Sequence, residues 1–289
     1  MVRNVVVQGG TDGIGRELAV SCLHAGDRVF VLGRSGAKGA ELVHVAEDLR
    51  AIDRLTFVAA DLSVIGENLR VIEEIRSELD HIDALVLCAR HYHSTRHESV
   101  DGVEATFALF YLSRFLLCHG LVGHLRGAGA SVVVNVAGPG GSLELLNWAD
   151  PGLAAGYAGQ RALAQCGVAN DLLGVAFSEK HGDDGIRYVL VNPGMTSTSF
   201  SGDYDPATAA QIEQMKKMGA PVAQTVRPIL ELIDPRAGEP LSAVNVGQPI
   251  DISTLPAYDT HAARRLSELT HEIVNEAAPG ALSTIGVHA

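Results

Sequence analysis

Residues Gln8-Gly9-Gly10-Thr11-Asp12-Gly13-Ile14-Gly15 form a glycine-rich turn between the apolar run Val5-Val6-Val7 and a helical pattern starting near Arg16. A strand that feeds a helix through such a turn offers backbone N–H groups and the positive end of the helix dipole to a pyrophosphate, with no Cβ in the way. Gly9, Gly13 and Gly15 follow the spacing G-x-x-x-G-x-G rather than the commoner G-x-G-x-x-G. Glycine clusters also serve as plain turns, so the rest of the chain has to decide between the two.

Downstream, short β-branched runs alternate with longer amphipathic ones. Arg28–Leu32, Leu55–Ala59, Ala84–Cys88, Ser131–Val136 and Arg187–Val191 are strand-like; Ala37–Arg50, Gly66–Leu79, Val100–Leu125 and Ala155–Phe177 are helix-like. Ala243-Val244-Asn245-Val246 supplies a last strand and Ala257–Val274 a closing helix. Continuous apolar strands imply a parallel sheet covered on both faces, so the expected fold is a single doubly wound α/β domain over residues 1–289 with about seven strands. Val100–Leu125 and Ala155–Phe177 are apolar almost all round and need a second cover, either another subunit in a homo-oligomer or a C-terminal segment folding back. A polar stretch at about 195–220 follows the Arg187–Val191 strand, on the edge of the sheet where ligands bind. It reads as a substrate lid, with Phe200 and Tyr204 as its candidates for stacking on a flat substrate.

Composition removes several function classes. A net charge of −12 argues against a nucleic-acid partner, and Arg114 and His119 interrupt the longest apolar run, which leaves no membrane span. The first residues enter a strand at once, without a leader pattern, so a cytoplasmic protein is expected. Cys22, Cys88, Cys118 and Cys166 lie far apart in apolar patterns and read as reduced, buried thiols. Arginine is preferred over lysine, which occurs only at 38, 180, 216 and 217; with abundant Ala, Gly and Val this suggests a GC-rich bacterial genome.

In such a fold the end of the second strand meets the adenosine ribose. An acid there accepts from both ribose hydroxyls, whereas an arginine pairs with a 2′-phosphate. Val31-Leu32-Gly33-Arg34-Ser35 carries no acid, which selects NADP over NAD. Asp61, followed by Leu62, is placed to accept from the adenine amino group or else to cap the helix that follows.

Together, the glycine-rich turn, Asp61-Leu62, Tyr157 with a base four residues on, and Asn192-Pro193-Gly194-Met195-Thr196 resemble the short-chain dehydrogenase/reductase superfamily over residues 4 to about 200. Asp101-Gly102-Val103-Glu104-Ala105-Thr106-Phe107 and Arg265-Leu266-Ser267-Glu268-Leu269 are similar to its retinol-dehydrogenase-like branch. The resemblance implies a Rossmann-type domain and hydride transfer between a nicotinamide and a carbonyl or alcohol. Gly9, Thr11, Asp12, Gly13, Ile14, Gly15, Arg34, Ser35, Asp61 and Leu62 would line the adenosine and phosphate side, and Cys88, Ala89 and Arg90 would close the fourth strand. Arg161 would reach the nicotinamide ribose, while Pro193, Gly194 and Thr196 would hold the carboxamide.

The catalytic positions depart from that family's pattern. Tyr157 is kept, but Arg161 stands for the Lys, Gly138 for the Ser and Phe110 for the Asn. Spacing of i, i+4 would put Tyr157 and Arg161 on one helix face, where a guanidinium can bind ribose and favour tyrosinate but cannot relay a proton. Ser142 is a candidate substitute hydroxyl, or else a turn serine. His91 and His93, in Arg90-His91-Tyr92-His93, are candidate proton donors, and Arg90 is a candidate oxyanion partner. His91-x-His93 also has metal-ligand spacing, but no third ligand lies nearby in the chain, so no metal is expected. Two readings follow: an NADPH-dependent ketoreductase for a bulky, aromatic polyketide-type substrate with a substituted or substrate-borne proton donor, or an inactive NADP-binding redox sensor.

Overall fold

Along each central strand, alternate residues go to opposite faces of the sheet. Val6, Leu85, Leu87 and Val133 join one buried layer and Val5, Val7, Val86, Val132 and Val134 the other, so the runs are apolar throughout because both faces are covered. The computed structural model describes residues 2–234, 236 and 238–287. The first half contains β1 (Asn4–Gln8), α1 (Gly13–Ala25), β2 (Arg28–Gly33), α2 (Gly36–Asp48), β3 (Leu55–Ala59), α3 (Ile65–Glu78), β4 (Ala84–Leu87), β5 (Tyr92–His93), α4 (Ala105–Phe107), a π-helical turn (Ala108–Leu112), α5 (Ser113–Gly120), α6 (Val122–Gly127) and β6 (Ser131–Val136). There follow α7 (Gly159–His181), β7 (Ile186–Asn192), β8 (Gly202–Asp203), α8 (Pro206–Met218), α9 (Val222–Leu232), β9 (Leu241–Asn245), β10 (Gln248–Ile250), α10 (Thr260–Ala277) and α11 (Ala281–Thr284).

The main sheet has eight strands in the order β10-β9-β7-β6-β4-β1-β2-β3. All are parallel except β10, which turns back on β9 and raises the expected count of about seven by one. Strand order reverses at β1, between β2 and β4, and a crevice opens there at the carboxyl ends of the strands, where such sheets bind ligands. Over that edge β5 and β8 form a separate two-stranded sheet, which the sequence pattern does not reveal.

Two expected helices start later than their apolar runs. The stretch Val100–Leu125 becomes helical only at Ala105, where buried Glu104 accepts from the N–H groups of Thr106 and Phe107 at 2.9 and 2.7 Å. The stretch Ala155–Phe177 becomes helical only at Gly159, after Ala158 in extended conformation. The second cover for α5 and α7 is the chain itself. On α10, Thr270 meets the buried Tyr111 hydroxyl at 2.7 Å and the His271 ring lies edge-on to Phe115. The apolar faces that suggested a subunit interface are therefore closed from within the chain. Among the described residues no helix is long and apolar enough to cross a membrane.

Candidate active site

The glycine-rich turn fits a dinucleotide. A Cβ on Gly9 would lie 2.7 Å from the Ala89 nitrogen, and one on Gly15 only 2.3 Å from the Gly9 carbonyl, so only glycine lets α1 and the end of β4 close on this turn. Gly9 and Gly13 also have positive φ, at 77° and 50°. Asp12 caps α1 through Gly13 N–H at 2.7 Å, pairs with Lys38, and accepts from Ser199 Oγ at 2.7 Å. Burial works to raise the Asp12 carboxyl, but the bonds from Lys38 and Ser199 outweigh it and hold the group below the usual range. Ser199, in the segment after β7, thus touches the glycine-rich turn directly.

At the end of β2, Arg34 is exposed and makes no salt bridge among the described residues. Ser35 caps α2 by accepting from Lys38 N–H at 3.3 Å. Lys38 is a second cation on the adenosine side that sequence reading missed; its signal was a lone lysine one helical turn beyond Arg34. Thr11 packs under Gly33; Asp61 accepts from Ser63 N–H and Oγ at 3.1 and 2.7 Å but does not cap α3, whose first N–H, on Ile65, goes to Asp101 at 2.7 Å. Two expected cofactor contacts turn inward. Leu62 is a core residue whose carbonyl is taken by Asn68, and the buried Thr196 hydroxyl faces Gly194 O and Thr225 rather than the crevice. Pro193 and Gly194, with φ of 73° at the glycine, keep the expected bend after β7.

The expected catalytic set is not assembled as the sequence suggested. Tyr157 precedes α7, so it shares no helix face with Arg161, which is exposed. The reason is the loop after β4: His93 O and the Tyr92 ring lie so close to Gly159 that a Cβ there would be 2.2 Å from that carbonyl. Tyr157 Oη donates to His93 O at 3.1 Å and lies 3.4 Å from Thr106 Oγ1. Desolvation first, with the Glu104 carboxylate adding to it, pushes its hydroxyl up to about 12. The tyrosinate that Arg161 was expected to favour is disfavoured. Ser142 caps the short turn at Glu144, as a turn serine does. Just after β8, the Tyr204 ring is already stacked on Tyr92 at 5.2 Å.

His91 and His93 are mostly covered, and both lean on Asp203 of β8, at 3.5 and 2.9 Å. Desolvation first, helped by Arg34 at His91 and by His91 at His93, holds both rings below the usual imidazole range. Arg90, at the end of β4, is exposed, with its guanidinium 6.0 Å from the Phe110 ring, and desolvation by the surrounding protein lowers its pKa. Cys88 lies at the floor, its thiol pushed up to about 12 by burial and therefore no nucleophile.

Beneath the floor sits a fully buried guanidinium. Arg114 bonds to the Asn135 side chain, to Val136 O at 3.1 Å and to Ala89 O at 3.0 Å, with its charge 4.6 Å over the Phe110 ring. It ties the ends of β4 and β6, the strands that flank the crevice. Sequence reading saw Arg114 only as an interruption of an apolar run.

Asp171 anchors the loop after β6, accepting from Gly140 N–H at 2.9 Å while its second oxygen is buried without a partner. Desolvation raises this carboxyl to about 6. An acid raised above its unfolded value, about 3.9, holds more protons in the folded state, so its cost is absent below about pH 4 and complete above pH 6. Relative to Asp171→Asn, the native chain is expected to lose roughly 2–3 kcal/mol of stability between those limits. Parallel pH profiles of urea unfolding for the two proteins would disprove this origin.

Comparison with known proteins agrees with this geometry. The family model described as short chain dehydrogenase matches residues 3–209. The oxidoreductase calI of Penicillium decumbens is 29% identical over 245 residues, covering 78% of this chain and 68% of that protein. A probable oxidoreductase of Streptomyces antibioticus is 28% identical over 251 residues, covering 86% of this chain and 81% of its own. In two other curated relatives the matched part spans only 61% and 60% of their length. An NADPH-bound carbonyl reductase from chicken fatty liver superposes with a TM-score of 0.61 at 18% identity, covering 86% of this chain and 98% of that one. With the glycine cradle at the β1–α1 turn, the crevice at the β1 switch point and the Asn192-Pro193-Gly194 bend in place, this chain belongs to the short-chain dehydrogenase/reductase family.

Proposed function

We propose that this protein is an NADPH-dependent ketoreductase whose substrate brings its own proton donor. The observation that carries the reading is the combination of an intact dinucleotide cradle with candidate protein acids that each face another group of the protein. Tyr157 is bonded to a backbone carbonyl, His91 and His93 face Asp203, and Ser142 caps a turn. Arg34 and Lys38 would hold the 2′-phosphate, and the turn at Gly9–Gly15 would hold the pyrophosphate. The reduced nicotinamide, when bound, supplies the hydride to the carbonyl carbon. Arg90 then balances the negative charge on the carbonyl oxygen, which takes its proton from a phenolic hydroxyl ortho to the ketone. The same hydroxyl keeps the substrate flat and aromatic, of the kind made by polyketide pathways. The arginine-rich composition supports an actinomycete source.

The test is NADPH oxidation against aryl ketones and quinones with and without an ortho hydroxyl. Turnover is expected only with the hydroxyl, and Tyr157→Phe is expected to stay within about threefold of the native rate. A loss of roughly 10²-fold in that variant would restore Tyr157 as the acid. Tight NADPH binding without turnover on any of these compounds would favour the sensor, a reading that the engaged acids also support.

A further inference from the structure

We propose that His91, His93 and Asp203 form a binding site for one divalent transition-metal ion of the zinc type, with water completing its coordination. In the chain the carboxylate is 110 residues from His93, which is why the histidine pair alone looked short of a ligand. The parallel pairing of β5 with β8 removes that distance by setting His93 opposite Asp203 in register.

The geometry is close to a finished site. Asp203 Oδ2 is 2.9 Å from His93 Nδ1 and 3.5 Å from His91 Nε2, and one ligand atom from each residue falls within 4.8 Å of the others. Zinc with bonds of about 2.0–2.1 Å holds neighbouring tetrahedral ligands about 3.3 Å apart, so two separations already fit and one imidazole has to turn inward by at most about 1.5 Å. Nδ1 of His93 is buried and has no aligned hydrogen bond, despite its short distance to the carboxylate. The carboxylate in its present position therefore leaves that nitrogen unsatisfied. The side chains of His91 and His93 are 12% and 13% exposed, whereas Asp203 is 65% exposed, so the site is walled on the imidazole side and open on the lid side.

The frame is fixed by bonds outside the ligands. Tyr92 N–H donates to Ser201 O, Ser94 N–H to Asp203 O, and Asp205 N–H to Ser94 Oγ, at 3.2, 2.9 and 2.9 Å. Two imidazoles and a single carboxylate suit zinc better than magnesium or calcium, which prefer all-oxygen sets. An ion here would pin the lid to the loop after β4.

The experiment uses the full chain, freed of any affinity-tag histidines and stripped of metal, with no nucleotide present, so it succeeds or fails independently of the proposed reaction. Titration with Co²⁺ is expected to give visible bands of a four- or five-coordinate ion that saturate at one equivalent and vanish on adding Zn²⁺. Zn²⁺ should also raise the melting temperature by a few degrees. His93→Ala and Asp203→Ala should each weaken Zn²⁺ binding at least about 100-fold, beyond what loss of an outer-shell partner costs, with circular dichroism unchanged. No saturable Co²⁺ spectrum in the native protein would overturn the site. So would a spectrum that survives both substitutions, which would place the ion elsewhere.

Discussion

Arg114→Ala is expected to cost about 3–5 kcal/mol of stability, enough to unfold much of the population at moderate temperature. Three terms set the figure. The truncation leaves the buried Asn135 amide oxygen and the part-buried Ala89 O and Val136 O without this donor; the two carbonyls can turn to water, so the three together cost about 2–3 kcal/mol. It also opens a cavity against the Phe110 ring, which adds about 2–5 kcal/mol. Against this, a buried charge is relieved: desolvation has already pulled Arg114 down to about 10, and Nε makes no hydrogen bond. That relief is about 3 kcal/mol at 1.36 kcal/mol for each pKa unit. Arg114→Met fills the volume but leaves the three oxygens bare, so it should recover about half of the loss. Urea unfolding of the two variants separates the terms. A methionine variant as stable as the native chain would mean that the guanidinium's hydrogen bonds only offset its own burial.

Arg34→Glu is expected to weaken NADPH binding by roughly 10²–10³-fold while leaving NADH unchanged or slightly tighter. The native guanidinium is exposed and unpaired among the described residues, so binding the 2′-phosphate breaks no existing ion pair. The variant replaces that attraction with repulsion and presents the acid that accepts from ribose hydroxyls in NAD enzymes. Lys38→Ala should do less, because Lys38 is already shared with Asp12. Fluorescence titration with both dinucleotides reads the result directly. An Arg34→Glu protein that still prefers NADPH would remove Arg34 from the site and reopen the choice of cofactor.

The sheet was legible because its signal is local. Val5-Val6-Val7 and Ser131–Val136 are apolar runs bounded by turns, and the Gly9–Gly15 turn needs small residues at fixed spacing wherever it occurs. What escaped depends on long-range contacts. Tyr157 and Arg161 sit four apart in the chain, which suggests a shared helix face, but the loop after β4 packs on Gly159 and delays the helix past the tyrosine. Asp203 met His93 only through a pairing of two-residue strands too short to leave a periodic pattern. Arg114 was misread for the opposite reason: a charge in an apolar helix looks like a flaw until its acceptors, at the ends of β4 and β6, are seen around it. Thr196 and Leu62 occupy the positions the family pattern assigns them, yet both side chains turn to the core.

The internal cover of α5 and α7 also sets a timetable for synthesis. Every strand of the sheet precedes α10 in the chain, so the sheet can form while Tyr111, Phe115 and their neighbours still face water. At about 5–20 residues per second, the ribosome takes several seconds to pass from α7 to the end of α10. During that interval the nascent chain carries an adhesive face that the finished molecule lacks. Crowded translation, stalling or early termination before residue 260 is therefore where aggregation of this protein would begin.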